Sequence, residues 1–331
     1  MMKKGARPIR LEAALISMRS ESSRKTVRAM RKYFTKVDDL DIRKIDIRIS
    51  GNDSEIMYNG APMKRYDCIY AKGSYRFAEL LKTLTSLLEK NCYMPLSADS
   101  FTIAHDKLLT HLELQKAGIP MPNTYITPSV DAAKAVLRSK EIPYPVMMKF
   151  PKGTGGKGVM FAESYESASS ILDALHTLRQ PFILQEYIDT KKIDYRVIVA
   201  GGKAIASMKR VAAADEARAN YHSGGKGEKI SIDAATEKLA VKVAKTIKAE
   251  ICAVDILPSR RGPLVVEANV SPGIKLISQT TGIDLADKIA QYLYERAYGI
   301  RLAELEEERH KVVGTLDYSR KKKYMKRFKP F

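Results

Sequence analysis

At 331 residues, 45% hydrophobic and 29% charged, the chain is long enough for two or three domains with a sizeable core, and its composition is that of an ordinary soluble globular protein. No apolar run approaches the roughly 20 residues that cross a bilayer, and the scattered Cys68, Cys92 and Cys252, without C-x-x-C spacing, fit neither a disulfide framework nor a zinc site. The formal charge of +19 favours polyanions: nucleic acid, an acidic protein segment, or phosphorylated and polycarboxylated small molecules.

In chain order, strand and helix signals alternate, which argues an α/β fold. The first twenty residues look superficially like an export signal. Their apolar segment is only Ala13–Met18, flanked by Glu12 and Arg19, so a cytoplasmic protein is expected. Leu11–Met18 reads as a strand, Ser22–Phe34 as a basic helix, Ile42–Ile49 as a partly alternating strand, Cys68–Ala71 as a short strand and Ser74–Lys90 as an amphipathic helix. Residues 1–104 thus resemble a small open parallel sheet. The Ser/Arg cluster at 19–25 follows the first strand at the carboxyl end, where such sheets bind ligands, although helix capping is the commoner explanation.

A second unit opens near His105 with a helix over Asp106–Ala117, closed by Gly118. Val146–Phe150 reads as a buried strand feeding the loop Gly153–Gly158 (GTGGKG). Val159–Ala162 continues as a strand, Ser164–Leu178 as a helix and Phe182–Tyr187 as a strand. Tyr195–Val199 and Lys203–Met208 form a hairpin across Gly201-Gly202. Residues 211–227 are polar and glycine-bearing, and Ala234–Ile247 is a helix. Two apolar strands, Ile251–Leu257 and the run from Val265, flank a turn at Pro258–Gly262, and a helix over Asp284–Tyr298 closes the fold. Residues 301–331 read as a charged extension without a core; 320–331 alone carry seven positive charges and no acid, leaving +12 for residues 1–319 once these are subtracted.

Glu267 and Asn269 stand two apart on a strand, so both side chains point to one face. A hairpin that brings Asp255 beside them would make a hard-oxygen site suited to Mg²⁺ shared with a nucleotide's phosphates. Two edge strands with solvent-facing charges would give the same pattern. The glycines of 153–158 let backbone N–H groups approach an anion closely. The loop does not match the phosphate-loop pattern, because Val159 and Met160 stand where Lys and Ser or Thr are required, nor a dinucleotide fingerprint. Its strand–loop–strand setting suits a flap over phosphates, or a plain hairpin. Lys107 and Lys149 could neutralise phosphate charge. Gln185 and Glu186 interrupt an apolar strand; they could meet an adenine and its ribose or face solvent at an edge.

Taken in order, Lys107, Lys149, the Gly153–Gly158 loop, Gln185–Ile188 (QEYI), Asp194–Arg196 (DYR), Met208–Arg210 (MKR), Arg218–Asn220 (RAN), Asp255 and Glu267–Gly273 (EANVSPG) resemble the ATP-grasp enzymes, most closely the RimK-like α-L-glutamate ligases. The resemblance spans about residues 105–299. It implies an ATP-grasp fold, two α+β subdomains (105–188 and 189–300) gripping ATP, preceded by the open parallel-sheet α/β domain of 1–104 and followed by the basic extension 301–331. It implies that Lys107 and Lys149 contact the phosphates of ATP under a flap of Gly155, Gly156 and Gly158. Gln185, Glu186, Tyr187 and Ile188 would border the adenine, with Asp194 and Lys209 on the nucleotide side. Asp255, Glu267 and Asn269 would hold Mg²⁺ (or Mn²⁺). Arg210, Arg218 and Asn220 would position the carboxylate to be activated, and Arg196, Ser271, Gly273 and Lys275 would line the substrate end.

The implied reaction is carboxylate–amine ligation through an acyl phosphate, with L-glutamate as the expected amino acid. The acceptor is a protein C-terminus, a small polycarboxylate cofactor or an amino-group carrier protein. A ligase for another amino acid is the alternative within the class. A nucleic-acid-binding protein on an ATP-grasp scaffold is the alternative outside it, suggested by the basic tail. A homo-oligomer, dimer or tetramer, is also implied. Relatives often carry Arg at the place of Ser223 and acids at the places of Lys275 and Ser278. Lys275 is therefore expected to favour an acceptor richer in negative charge.

Overall fold

A computed structural model of the chain describes residues 9–153, 158–176, 181–212 and 226–313. Gly155, Gly156, Arg218, Asn220, Ser223 and the basic tail lie outside the described residues.

The N-terminal part begins with β1 (Glu12–Ser17), α1 (Glu21–Met30) and β2 (Lys36–Asp41). An antiparallel meander of β3 (Ile45–Ser50), β4 (Asp53–Tyr58) and β5 (Ala61–Pro62) follows, then β6 (Cys68–Ala71) and α2 (Ala78–Leu88). β1 lies between β2 and β6, parallel to both, and five of its six residues are buried, as a central parallel strand requires. α1 starts where Ser20 accepts the N–H of Ser23 at 3.3 Å, so capping does account for part of the serine run. It ends at Met30, four residues short of the expected Phe34, which packs edge-on against Tyr294 instead.

Two helices follow in direct succession, α3 (Ala98–His105) and α4 (Lys107–Lys116). α3 was not expected from the sequence. Asp106, in extended conformation, separates the two and caps α4 by accepting the N–H groups of Leu108 and Leu109.

The next stretch, β7 (Thr124–Thr127), α5 (Val130–Ser139), β8 (Val146–Lys149), β9 (Val159–Ala162), α6 (Tyr165–Leu175) and β10 (Phe182–Glu186), builds an antiparallel sheet in the order β7-β10-β8-β9. It has its own core, in which Val130, Ala133 and Leu137 of α5 and Ala168 and Leu172 of α6 meet Met148, Phe182 and Leu184.

β11 (Ile193–Ala200), β12 (Lys203–Val211), β13 (Lys226–Lys229), α7 (Ala234–Thr246), β14 (Ile251–Ser259) and β15 (Gly262–Asn269) form a five-stranded antiparallel sheet in the order β13-β12-β11-β14-β15. α8 (Lys275–Thr281) and α9 (Leu285–Val313) complete the described chain. The turn between β11 and β12 is Gly201-Gly202 at φ +59 and +75, the left-handed geometry of a tight hairpin. A Cβ on Gly201 would run into the ring of Tyr292. The β14–β15 turn is tighter than expected: both strands run to Ser259 and Gly262, leaving only Arg260 and Arg261 between them.

This sheet and the N-terminal sheet share one continuous core, reaching from Leu15, Ile16 and Ile69 to Val199, Val254 and Ile277. α9 seals the junction: Lys32 and Tyr33 both bond Asp287, at 2.9 and 3.0 Å. The helix passes Tyr298 without a break and takes in residues 301–313, so the expected core-less extension is helical in its first part. Among the described residues no helix is long and apolar enough to cross a membrane.

Candidate active site

The five-stranded sheet gathers its charges on one face because its register places them opposite one another. Asp194 pairs with Arg210 across β11 and β12, Arg196 with Asp255 across β11 and β14, and Asp255 with Glu267 across β14 and β15. A bulge between Asp255 and Ile256 inserts Val266 opposite them. Asn269, two residues beyond Glu267, shares that face.

The cross-strand pairs close into a buried network. Arg210 forks onto Asp194 with two bonds of 2.6 Å, and its Nη2 also reaches Asp255 Oδ2 at 2.8 Å. Arg196 forks onto Asp255 at 2.8 and 2.7 Å. Burial alone would raise the Asp255 carboxyl, but the two guanidiniums hold it at about 2. Burial lifts Asp194 to about 6 against the pull of Arg210, while the two acids keep Arg210 firmly charged. Lys209 points to the other face, pairing with Glu228 at 2.5 Å, so the structure does not bring it to the nucleotide side where it was expected.

A second group comes from α4 and the small sheet. The Lys149 ammonium donates to Gln185 Oε1 at 2.5 Å. The Gln185 amide donates to Thr124 Oγ1 at 2.9 Å and to His111 Nε2 at 3.0 Å. His111 Nδ1 lies 2.6 Å from the Lys107 carbonyl, which can only accept, so the proton is on Nδ1 and Nε2 accepts from Gln185. Burial pushes His111 down to about 4, which keeps it in this neutral form. The same cause, with Lys107 adding to it and Glu267 opposing, lowers Lys149 to about 8.

Lys107 Nζ donates to the Gly153 carbonyl at 3.3 Å, and Phe150 N–H to the Gly158 carbonyl at 3.0 Å, which closes the neck of the glycine loop. Gly158 sits at φ +77, and a Cβ there would press on Phe150. Gln185 and Glu186 are buried, so neither lies on a solvent side; Glu186 is paired with Arg261 from the β14–β15 turn. Tyr187 packs edge-on against Phe161, and Ile188 lies in the segment leading to β11.

Between these groups and the N-terminal sheet lies a cavity of about 210 Å³. It is lined by Lys107, His111, Gly153, Glu267 and Asn269 from α4, the glycine loop and β15, by Ser17, Ser20, Lys72 and Ser74 from the N-terminal part, and by His105 and Ser271. Ser271 accepts the N–H of Gly73 at 2.9 Å, and its own N–H donates to Asn269 Oδ1 at 2.8 Å. Gly273 has open space where a Cβ would stand. Lys275 does not line this cavity; it pairs with Glu21 of α1 at 2.9 Å.

These elements match the RimK-like ATP-grasp domain over residues 104–293. The chain belongs to the RimK-like ATP-grasp family. It is 34% identical over 250 residues to a "Probable alpha-L-glutamate ligase" of Serratia proteamaculans (strain 568), covering 75% of this chain and 83% of that one. It is 33% identical over 273 residues to the "Ribosomal protein bS6--L-glutamate ligase" of Salmonella schwarzengrund (strain CVM19633), covering 79% and 87%. The fold is that of the RimK domain ATP-grasp protein from Sphaerobacter thermophilus DSM 20745, with a TM-score of 0.64 at 20% identity over 85% of this chain and 99% of that one. The D-alanine–D-alanine ligase of Bacillus anthracis, solved with ATP, shares it at a TM-score of 0.60 and 16% identity over 89% and 99%.

Members of this family bind ATP, and the chain is an ATP-dependent carboxylate–amine ligase. The residues present fit a magnesium ion. Asp255 and Glu267 face each other in register, and Asn269 adds an amide oxygen. The Asp255 oxygens are shared with two arginines, yet among the described residues Oδ1 accepts one bond, which leaves a lone pair for a metal. Few protein donors and hard oxygens suit an ion that takes the rest of its shell from phosphates and water. His111 was missed by sequence reading. It stands one helical turn after Lys107, and that i,i+4 spacing was the available signal.

Proposed function

We propose that the chain joins L-glutamate, through its amino group, to a carboxylate of an acceptor protein. The observation that carries this reading is one cavity lined by Lys107, Glu267 and Asn269 together with Lys72 and several serine hydroxyls. The names of the relatives support glutamate and a protein acceptor.

In this reading the acceptor carboxylate attacks the γ-phosphorus of ATP, releasing ADP and leaving an acyl phosphate. The glutamate amine then attacks the acyl carbon, loses a proton and expels inorganic phosphate. Asp255, Glu267 and Asn269 would hold Mg²⁺, which neutralises phosphate charge when bound; Mn²⁺ would serve there too. Lys149, fixed by Gln185, and Lys107 meet phosphate oxygens. Phosphoryl transfer needs mainly positioning and charge neutralisation, which this inventory supplies. The Arg196–Asp255–Arg210–Asp194 network keeps the metal-binding carboxylate in one rotamer.

The test incubates the protein with Mg-ATP, labelled L-glutamate and an extract of source cells. Label in the protein fraction, lost with Glu267→Gln, supports the reading. Label in small molecules only moves the acceptor class. ADP release without label rejects glutamate.

A further inference from the structure

The far wall of the cavity holds a lysine that the nucleotide chemistry does not use. Lys72 follows β6 at the carboxyl end of the N-terminal sheet and is only 6% exposed. Its ammonium donates to the Pro272 carbonyl at 3.2 Å and lies 5.6 Å from the centroid of the Tyr70 ring. Among the described residues no carboxylate pairs with it.

A buried ammonium without a counter-ion is costly to keep, and burial alone lowers Lys72 to about 8. One carbonyl takes one of its three N–H donors. Among the described residues the buried Ser74 Oγ has no hydrogen-bond partner, and Ser17, Ser20 and Ser23 line the same cavity. A cation with spare donors and an unused hydroxyl, both against a cavity, form half of an anion site.

We propose that Lys72 is a specificity-determining residue that pairs with a carboxylate of the incoming amino acid, with serine hydroxyls of the same wall adding hydrogen bonds. This rests on the ligase reading. The acceptor's reacting carboxylate must lie beside Lys107 and Glu267 to reach phosphate. About 210 Å³ leaves room next to it for a molecule of amino-acid size rather than for a folded chain. Anchoring the amino acid by its carboxylate at Lys72 leaves its amine free to face the acyl phosphate.

The competing role is a purely structural latch, since Lys72 also ties β6 to the loop after β15. Ser22 separates the two roles: its hydroxyl accepts the N–H of Ile274 at 3.4 Å across the same boundary, but it does not line the cavity. The experiment titrates L-glutamate, L-glutamine and L-isoglutamine calorimetrically into the full chain holding Mg²⁺ and a non-hydrolysable ATP analogue. Lys72→Met should weaken L-glutamate binding by about 10- to 100-fold, the loss of one charged hydrogen bond, with nucleotide affinity unchanged. Lys72→Arg should recover most of it, and Ser22→Ala should not move it. Whichever amide lacks the contacted carboxylate should bind wild type and Lys72→Met alike.

Unchanged glutamate affinity in Lys72→Met overturns the proposal. So does a matching loss in Ser22→Ala, or a wild type that binds none of the three ligands. A wild type that binds L-glutamate through Lys72 yet transfers it to nothing refutes the ligase reading and leaves this site standing. Transfer that is indifferent to Lys72→Met does the reverse.

Discussion

Arg210 and Asp194 are locked face to face across adjacent strands, both 2.6 Å bonds running in parallel from one guanidinium to one carboxylate. Both side chains are buried, so neither can exchange its partner for water. Arg210→Met therefore strands Asp194 and removes one of the two cations on Asp255. It should cost about 3–5 kcal/mol, the usual penalty for breaking a buried pair. Thermal unfolding of Arg210→Met, Asp194→Asn and the double variant gives the coupling; a double variant that regains none of the loss would contradict the pairing.

Glu267 should behave oppositely. Among the described residues its carboxylate has no hydrogen-bond or ion-pair partner, so Glu267→Gln leaves the melting temperature nearly unchanged. Ligation should still fall by about 10²–10³, the scale for losing one electrostatic contact to a developing charge. A chelator should abolish the remainder, and Mg²⁺ should restore it. A variant that is unstable but active per folded molecule would remove Glu267 from the metal site.

If Lys149 meets the phosphates as proposed, nucleotide binding should depend on pH. Burial depresses it to about 8, so above that pH part of the free protein holds a neutral amine there. Bound phosphates favour the ammonium. Nucleotide binding then takes up a proton, and kcat/KM for ATP falls as pH rises through about 8. Calorimetry in buffers of different protonation enthalpy should show uptake near pH ~8.5 and little near pH ~6.5. Lys149→Met should abolish the difference; uptake that persists in this variant places the titrating group elsewhere.

Glu250 tests the join between the first and last parts of the chain. It accepts the hydroxyls of Tyr93 and Tyr292, each at 2.5 Å, and a guanidinium N–H of Arg296 at 3.4 Å. Glu250→Leu leaves three donors, the buried Tyr93 and Arg296 and the half-buried Tyr292, without that acceptor and should cost about 2–4 kcal/mol. Thermal unfolding measures the loss, while nucleotide affinity in the surviving folded fraction should hold.

How much of this was legible beforehand follows from what each signal depends on. Glu267 and Asn269 show their common face in the sequence because strand alternation is local. Asp194, Arg196 and Arg210 also stand out as motif residues. Their bonds to one another do not, because cross-strand register is set by pairing over tens of residues. Lys209 was misplaced by one step of the same alternation, its neighbour Arg210 taking the inner face. α9 was cut short because its apolar spacing fades after Tyr298. The Ala, Leu, Glu and Arg of the following turns keep good helix propensity, and Arg301 bridges to Glu304 at 2.9 Å. Lys72 was invisible because a single lysine after an apolar strand reads as solvated. Only the packing of β6 against the loop after β15 buries it.

The cavity has two walls drawn from stretches of sequence far apart. Lys107, Gly153, Glu267 and Asn269 fall inside the matched family region of 104–293, whereas Ser17, Ser20, Lys72 and Ser74 fall before it. If Lys72 receives the amino acid as proposed, the groups that would meet ATP and the groups that would meet the amino acid are inherited on separate segments of the gene. In that case, drift confined to the N-terminal segment could change which amino acid is preferred while the residues of 104–293 stay as they are.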